Sequence, residues 1–189
     1  MHYTSIENIH KVIDPLFLDD LKKEFKEIQA VTVRRTKEKR LDEFQNKLAS
    51  LTFLDPACGS GNFLTETYLS LRRLENEVIR ERVGGQITLG EVHNPIKVSI
   101  QQFYGIEIND FAVTVAKTAL WIAESQMLEE TKNIVYGFND DFLPLKTYVN
   151  ITEGNALRID WNEVVPVERL SYICLLYTSD AADDRISVD

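Results

Sequence analysis

Leu16, Leu18, Leu21, Phe25 and Ile28 recur at roughly helical intervals near the start of the chain and predict a helix running to about Gln29. Thr4 and Glu7 have capping-box spacing, which predicts a helix start near Ser5. Asp14-Pro15 then reads as a restart, with Asp14 as N-cap and Pro15 in the first helical position. A short further helix is expected over Leu41 to Leu48. The pattern changes at LTFLD (51–55), a short apolar run that reads as a buried strand.

From Asn62 the period is helical again. Leu64, Tyr68, Leu71, Leu74 and Val78 share a face into which Glu75 intrudes, and Gly84-Gly85 ends it. Residues 86–100 are turn-rich and read as a loop. QFYGIEI (102–108) is a second strand, followed by a helix capped by Asn109 or Asp110 and running to about Glu130. Ala112, Ala116, Ala119 and Ala123 line one stripe of it, small enough for close packing on a sheet. A third strand is expected from Tyr148 to Thr152, ahead of Gly154-Asn155. Strands alternating with helices indicate an α/β fold with a parallel sheet.

Composition narrows this little. A chain of 189 residues, 44% hydrophobic and 27% charged, suits one globular domain. No apolar run approaches the roughly 18 residues that span a bilayer, and MHYTSIENIHKVI lacks the pattern of a signal peptide, so no membrane and a cytoplasmic location are expected. Cys58 and Cys174 have no CxxC spacing and no histidine cluster, which points away from disulfides and a structural metal. Cys58 reads as a packing residue in its turn, without a base to activate it. His2, His10 and His93 read as surface or loop residues, and Trp121 and Trp161 as core or edge anchors. The net charge of −9 is unlike a surface that grips DNA unaided. The one basic concentration, Arg34-Arg35 with Lys37, Lys39 and Arg40, is either a solvated helix end or a phosphate contact.

Ligands of open parallel sheets sit beyond the carboxyl ends of the strands. The first strand end carries Asp55, Pro56, Ala57, Cys58, Gly59, Ser60 and Gly61, where glycines let backbone approach a ligand. The second carries Glu107, an acceptor suited to a ribose diol, and the third Asn155, whose amide can read an adenine edge. A dinucleotide fingerprint would need a third glycine where Leu64 stands, and an acid some 20 residues on, whereas Glu107 lies 48 residues after Gly59. No GK[ST] is present, which excludes a P-loop.

With these residues in view, the sequence resembles the amino-methylating DNA methyltransferases that use S-adenosyl-L-methionine, most closely the large bacterial enzymes that fuse modification to restriction. DPACGSGNFL resembles their first motif, FYGIEIND their second, EGNAL their third, and HYTS the motif that precedes the first. The resemblance covers roughly residues 1 to 173. It implies that Tyr3 and Thr4 touch the methionine moiety and that Asp55, Ala57, Gly59 and Gly61 form the cradle. It further implies Glu107 on the ribose, Ile108 on the adenine face and Asn155 on the adenine amine. An acid at Asp55 suits an ammonium group, where a pyrophosphate would be repelled.

The same resemblance implies a fourth motif, [D/N/S]-P-P-[Y/F/W], which holds and stacks on the flipped base. The prolines stand at 15, 56, 95, 144 and 166 and no two adjoin, so the motif is absent and no catalytic residue is assigned. In its place stands CLLYTSDAADDRISVD (174–189), which changes character abruptly and reads as a non-native tail of the adapter read-through kind. The expected organisation is therefore a helical segment over 1–50, a partial cofactor-binding domain over 51–173, and that tail. The sheet is expected to be Rossmann-like but incomplete, holding the first three strands, with LTFLD left unpaired along one edge and the chain folding poorly alone. The implied function is the cofactor-binding part of an enzyme methylating adenine N6 in double-stranded DNA, gripped through a C-terminal region lacking here, with a fused or associated restriction nuclease. Alternatives are an N4-cytosine, RNA or protein methyltransferase fragment, or a non-catalytic S-adenosyl-L-methionine-binding subunit.

Overall fold

In the computed structural model, residues 5–84, 95–135 and 149–174 are described. Four parallel strands form one sheet in the order β3-β2-β1-β4, with β1 at Phe53–Asp55, β2 at Phe103–Glu107, β3 at Asn150–Glu153 and β4 at Tyr172–Ile173. Helices α4 (Asn62–Val83) and α5 (Asp110–Lys132) make the first two crossovers, and short α6 (Trp161–Val164) lies on the third. Three helices precede the sheet: α1 (Ile6–Ile13), α2 (Asp19–Gln29) and α3 (Arg34–Ser50).

The α/β class expected from the alternating pattern holds, and the strand count is corrected from three to four. LSYI supplies the extra strand: Phe53 pairs with Tyr172 and Leu54 with Ile173, and the Cys174 amide donates to the Leu54 carbonyl at 2.8 Å. β1 is therefore flanked on both sides by β2 and β4, and the expected unpaired edge does not exist. Cys174, grouped with the tail by composition, is buried in the main core. Residues 175–189 lie outside the described part.

Strand periodicity divides the core. Phe53 and Phe103 stack with ring centroids 5.2 Å apart, Phe17 and Tyr172 join them, and Tyr68 meets Phe103 edge-on. The same body of apolar residues takes in Ile9, Ile13, Phe25, Phe44 and Leu48, so the N-terminal helices and α4 and α5 all share the core on one sheet face. Leu54 and Ile106 alternate to the other face, where Val165, Trp161 and Leu170 cover them. Trp121 packs against the larger core and Trp161 bonds the Ala156 carbonyl through Nε1 at 2.8 Å, both as anchors.

Three local expectations change. Helix α1 is capped by Ser5, whose hydroxyl accepts from the Asn8 amide at 3.3 Å, while Thr4 lies outside the described residues. Asp14 has helical angles and caps nothing. The chain runs from α1 to α2 through a π-turn at Asp14–Leu18, in which the Asp19 amide reaches the Asp14 carbonyl five residues back. Pro15 cannot bond that far down the helix and its ring crowds the preceding turn, and a widened turn relieves this without ending the helix. His10, expected at the surface, is half-buried and bridges Asp14 at 2.9 Å and Glu66 at 3.1 Å. These carboxylates raise its pKa, the Asp14 bond most, against the opposing effect of burial.

Helix α3 starts seven residues before the expected Leu41. Its first turns are the basic run, held by Arg34–Glu38 at 2.8 Å, Lys39–Glu43 at 3.6 Å and Lys37–Glu81 at 2.5 Å. Three of the five cations in that run are thus paired with acids. Glu75, read as an intruder, is fully buried and bonds Arg72, the Gln45 amide at 2.7 Å, and the amides of Lys97 at 2.7 Å and Val98 at 3.2 Å. Arg72 continues to Thr131 on α5 at 2.8 Å, so this network ties α3, α4, α5 and the chain entering β2.

Candidate cofactor site

The order of the sheet reverses at β1: its successor β2 lies on one side and β4 on the other. Such a switch point opens a crevice at the carboxyl ends of the strands. Asp55 ends β1 there, Glu107 ends β2 beside it, and Glu107 pairs with Glu153 at the end of β3. The three strand ends singled out from sequence are thus adjacent in space.

The turn after β1 folds over β2. The Cys58 amide donates to the Ile106 carbonyl at 3.1 Å, and Cys58 packs on Gly105 so closely that a Cβ there would lie 2.7 Å from its sulfur. Gly59 and Gly61 have φ of 53° and 78°, the left-handed region where a side chain is strained. They differ in surroundings. A Cβ on Gly61 would come within 2.9 Å of Ala116 on α5, which fixes the helix pair, whereas at Gly59 nothing lies within 4 Å. The open side of the turn is at Gly59.

Glu107 closes this arrangement. Its Oε2 accepts from the Gly59 amide at 2.9 Å and its Oε1 from the Asn109 amide at 2.9 Å, while its own carbonyl accepts from Gly154 at 2.8 Å. Asn109 caps α5 through the Ala112 amide at 3.0 Å. Each carboxylate oxygen has room for two hydrogen bonds, so one position per oxygen is left beyond the backbone pair. That spacing suits the two hydroxyls of a vicinal diol.

Asp55 is 6% exposed and accepts from the Ala57 amide at 3.0 Å. Burial, with the charge of Glu107 adding to it, pushes its carboxyl up to about 7 despite the Ala57 bond. Among the described residues no cation pairs with it. Ala57 itself is exposed, and its part in the turn is through its backbone. Burial also raises the Cys58 thiol far above its ordinary range, with Asp55 and Glu107 adding to the shift, which leaves it inert as a nucleophile.

Asn155 follows β3 and folds an Asx turn, its Oδ1 accepting from the Leu157 amide at 2.9 Å. Ile108 is 67% exposed just past Glu107. Two apolar residues at the same strand ends escaped the sequence reading: Phe111, in the first turn of α5 and 70% exposed, and Leu157, 94% exposed after Asn155. Only their exposure marks them, because both sit in segments whose spacing predicts ordinary packing. Tyr3 and Thr4, expected on the methionine end, lie outside the described residues.

A family model described as MmeI, DNA-methyltransferase domain, matches residues 31–175. DNA methyltransferase A of Bacillus subtilis (strain 168) is 46% identical over 168 residues, a match covering 89% of this chain and 18% of that protein. A putative type II restriction enzyme and methyltransferase of Methanocaldococcus jannaschii is 29% identical over 140 residues, covering 71% of this chain and 11% of its own length. Among solved structures, the type IIL restriction-modification enzyme MmeI in complex with DNA superposes with a TM-score of 0.81 at 42% identity, over 91% of this chain and 22% of MmeI. The chain thus spans about a fifth, or less, of the length of the proteins it matches.

Proposed function

The chain belongs to the MmeI DNA-methyltransferase family, and from that premise we propose that it is the S-adenosyl-L-methionine-binding part of an enzyme that methylates adenine N6 in double-stranded DNA. One observation carries the cofactor reading: Glu107 is held by the Gly59 and Asn109 amides at the switch point, with acceptor positions to spare beside an open glycine turn.

The residues fit the group. Glu107 receives the ribose hydroxyls, and Asp55 faces the ammonium, whose charge draws the buried carboxyl into its ionised form. Gly59 lets the cofactor approach the turn, Gly61 and the Ala57 backbone hold that turn in shape, Ile108 lies against the adenine face, and Asn155 meets the adenine amine. Tyr3 and Thr4 complete the methionine end. Two acids at the strand ends select against a phosphate-bearing nucleotide. When bound, S-adenosyl-L-methionine supplies an electrophilic methyl group on its sulfonium. The chain's own part is to bind and orient it.

In the larger enzyme a C-terminal region supplies the base-holding motif, the DNA grip and, in a fused or associated unit, the restriction nuclease. Those assignments rest on the resemblance to restriction-modification relatives and on the absence of adjacent prolines in this sequence. Calorimetric titration of the chain with S-adenosyl-L-methionine tests the reading. One-site binding that Glu107→Ala weakens at least about a hundredfold supports it, and a folded chain that takes up no cofactor overturns it. With labelled cofactor and duplex DNA, the chain alone is expected to transfer no methyl group.

A further inference from the structure

A cavity of about 370 Å³ opens between α2 and α4, on the helical side of the molecule and apart from the strand ends. Leu18, Phe25 and Leu74, all buried, form its apolar floor. Ser70 also lines it. That residue is 7% exposed, and its hydroxyl makes no hydrogen bond among the described residues. A hydroxyl left open on a cavity wall is available to a ligand oxygen.

The rim is cationic. Lys22 and Lys26 stand one turn apart on α2 with neither ammonium paired among the described residues, and Arg73 faces them from α4 with only a 3.6 Å contact to Glu66. Glu77 is the single acid on the lining, and His10 at the far end is already held between Asp14 and Glu66. Three cations against one acid leave two positive charges facing an apolar floor, in a chain whose net charge is −9. The local excess runs against the rest of the molecule.

We propose that this cavity binds an organic phosphomonoester, its apolar body on Leu18, Phe25 and Leu74, its dianionic head among Lys22, Lys26 and Arg73, and one oxygen accepting from Ser70. The volume is that of a small-ligand pocket, and the charge of the head balances that of the lining. The inference is independent of the cofactor reading, because none of these residues adjoins Asp55 or Glu107 in the fold.

Phenyl phosphate is the probe, titrated calorimetrically into the full chain, with inorganic phosphate, benzoate, a short DNA duplex and S-adenosyl-L-methionine in parallel. Phenyl phosphate is expected to saturate a single site about tenfold more tightly than benzoate, which lacks the second charge, or inorganic phosphate, which lacks the apolar body. Lys22→Ala combined with Lys26→Ala, both exposed and structurally undemanding, is expected to weaken it at least about tenfold with cofactor affinity and thermal midpoint unchanged. Ser70→Ala, a smaller loss inside the floor, is expected to weaken it severalfold. No saturable binding, equal affinity in the double variant, or benzoate binding as tightly as phenyl phosphate overturns the proposal. So does a duplex whose binding the double variant loses while phenyl phosphate fails to bind. Failure of S-adenosyl-L-methionine to bind overturns the cofactor reading and leaves this one standing on its own result.

Discussion

Glu75 on α4 is fully buried and accepts from Arg72, Gln45 and two backbone amides, whereas Asp55, 6% exposed at the end of β1, accepts from one amide and lies beside another acid. The first carboxylate is compensated within the fold. The second is not, and its charged form is penalised until something cationic arrives. A buried carboxylate whose oxygens are bonded within the fold specifies packing, whereas one left short at a strand end is open to a ligand. The two networks differ in what they hold: one fixes helices α3, α4 and α5, the other a crevice.

The strongest way to break the contrast is Glu75→Ala. It strands the buried Arg72 guanidinium, whose Nε already lacks a partner, and is expected to cost about 3–5 kcal/mol in denaturant unfolding. A loss under about 1 kcal/mol would mean that the network contributes little.

Asp55→Asn comes next, and its effect depends on pH. The folded-state pKa of Asp55 lies above its ordinary 3.8, at about 7. The folded chain therefore holds the proton more tightly, and the stability it confers is present below pH 3.8 and lost as pH rises to about 7. The loss approaches about 1.4 kcal/mol per pH unit inside that window. The Asn variant is expected to lack this slope and to be more stable than the parent at pH 8, as unfolding curves at pH 5 and pH 8 would show. His10, whose pKa is also raised, contributes in the same direction through Asp14 and Glu66, so parallel slopes in parent and variant would assign the whole effect to that bridge.

Glu107→Ala is a binding change. It removes both acceptors proposed for the ribose diol, at about 1.5–3 kcal/mol for each bond to a charged group. Cofactor affinity is expected to fall at least about a hundredfold by calorimetry, with a smaller fall in thermal midpoint from releasing the Gly59 and Asn109 amides. The smallest effects separate the two glycines. Gly61→Ala meets Ala116 and strains a left-handed residue, and is expected to lose about 2–3 kcal/mol of stability. Gly59→Ala has open space and only the backbone penalty of about 1 kcal/mol, so its main loss should be in cofactor affinity.

The adjacency of the three strand ends was legible because each group follows its own strand directly. Asp55, Glu107 and Asn155 needed only a parallel sheet to be brought together. What escaped depends on distant partners or on runs too short to show a period. The Glu75 network draws on Gln45, 30 residues away, and on Thr131 through Arg72. β4 has two residues, fewer than an alternation needs. The first turns of α3 contain no buried residue, so ion pairs and not an apolar stripe carry them. Pro15 was read as a boundary, although a π-turn lets the helix pass it.

That π-turn has a consequence for chain length. It absorbs one surplus residue, so Ile9 and Ile13 before it and Leu21, Phe25 and Ile28 after it still point into one core. Deleting Leu16, 42% exposed inside the turn, is therefore expected to close it to an α-turn, the downstream face keeping its heading and the thermal midpoint falling little. The same one-residue deletion in α4, between Leu64 and Arg72, has no slack to consume and would swing Arg72 and Glu75 by about 100° out of their network. Across a family of such chains, length variation should collect around position 16 and be purged from the helix that follows the glycine turn.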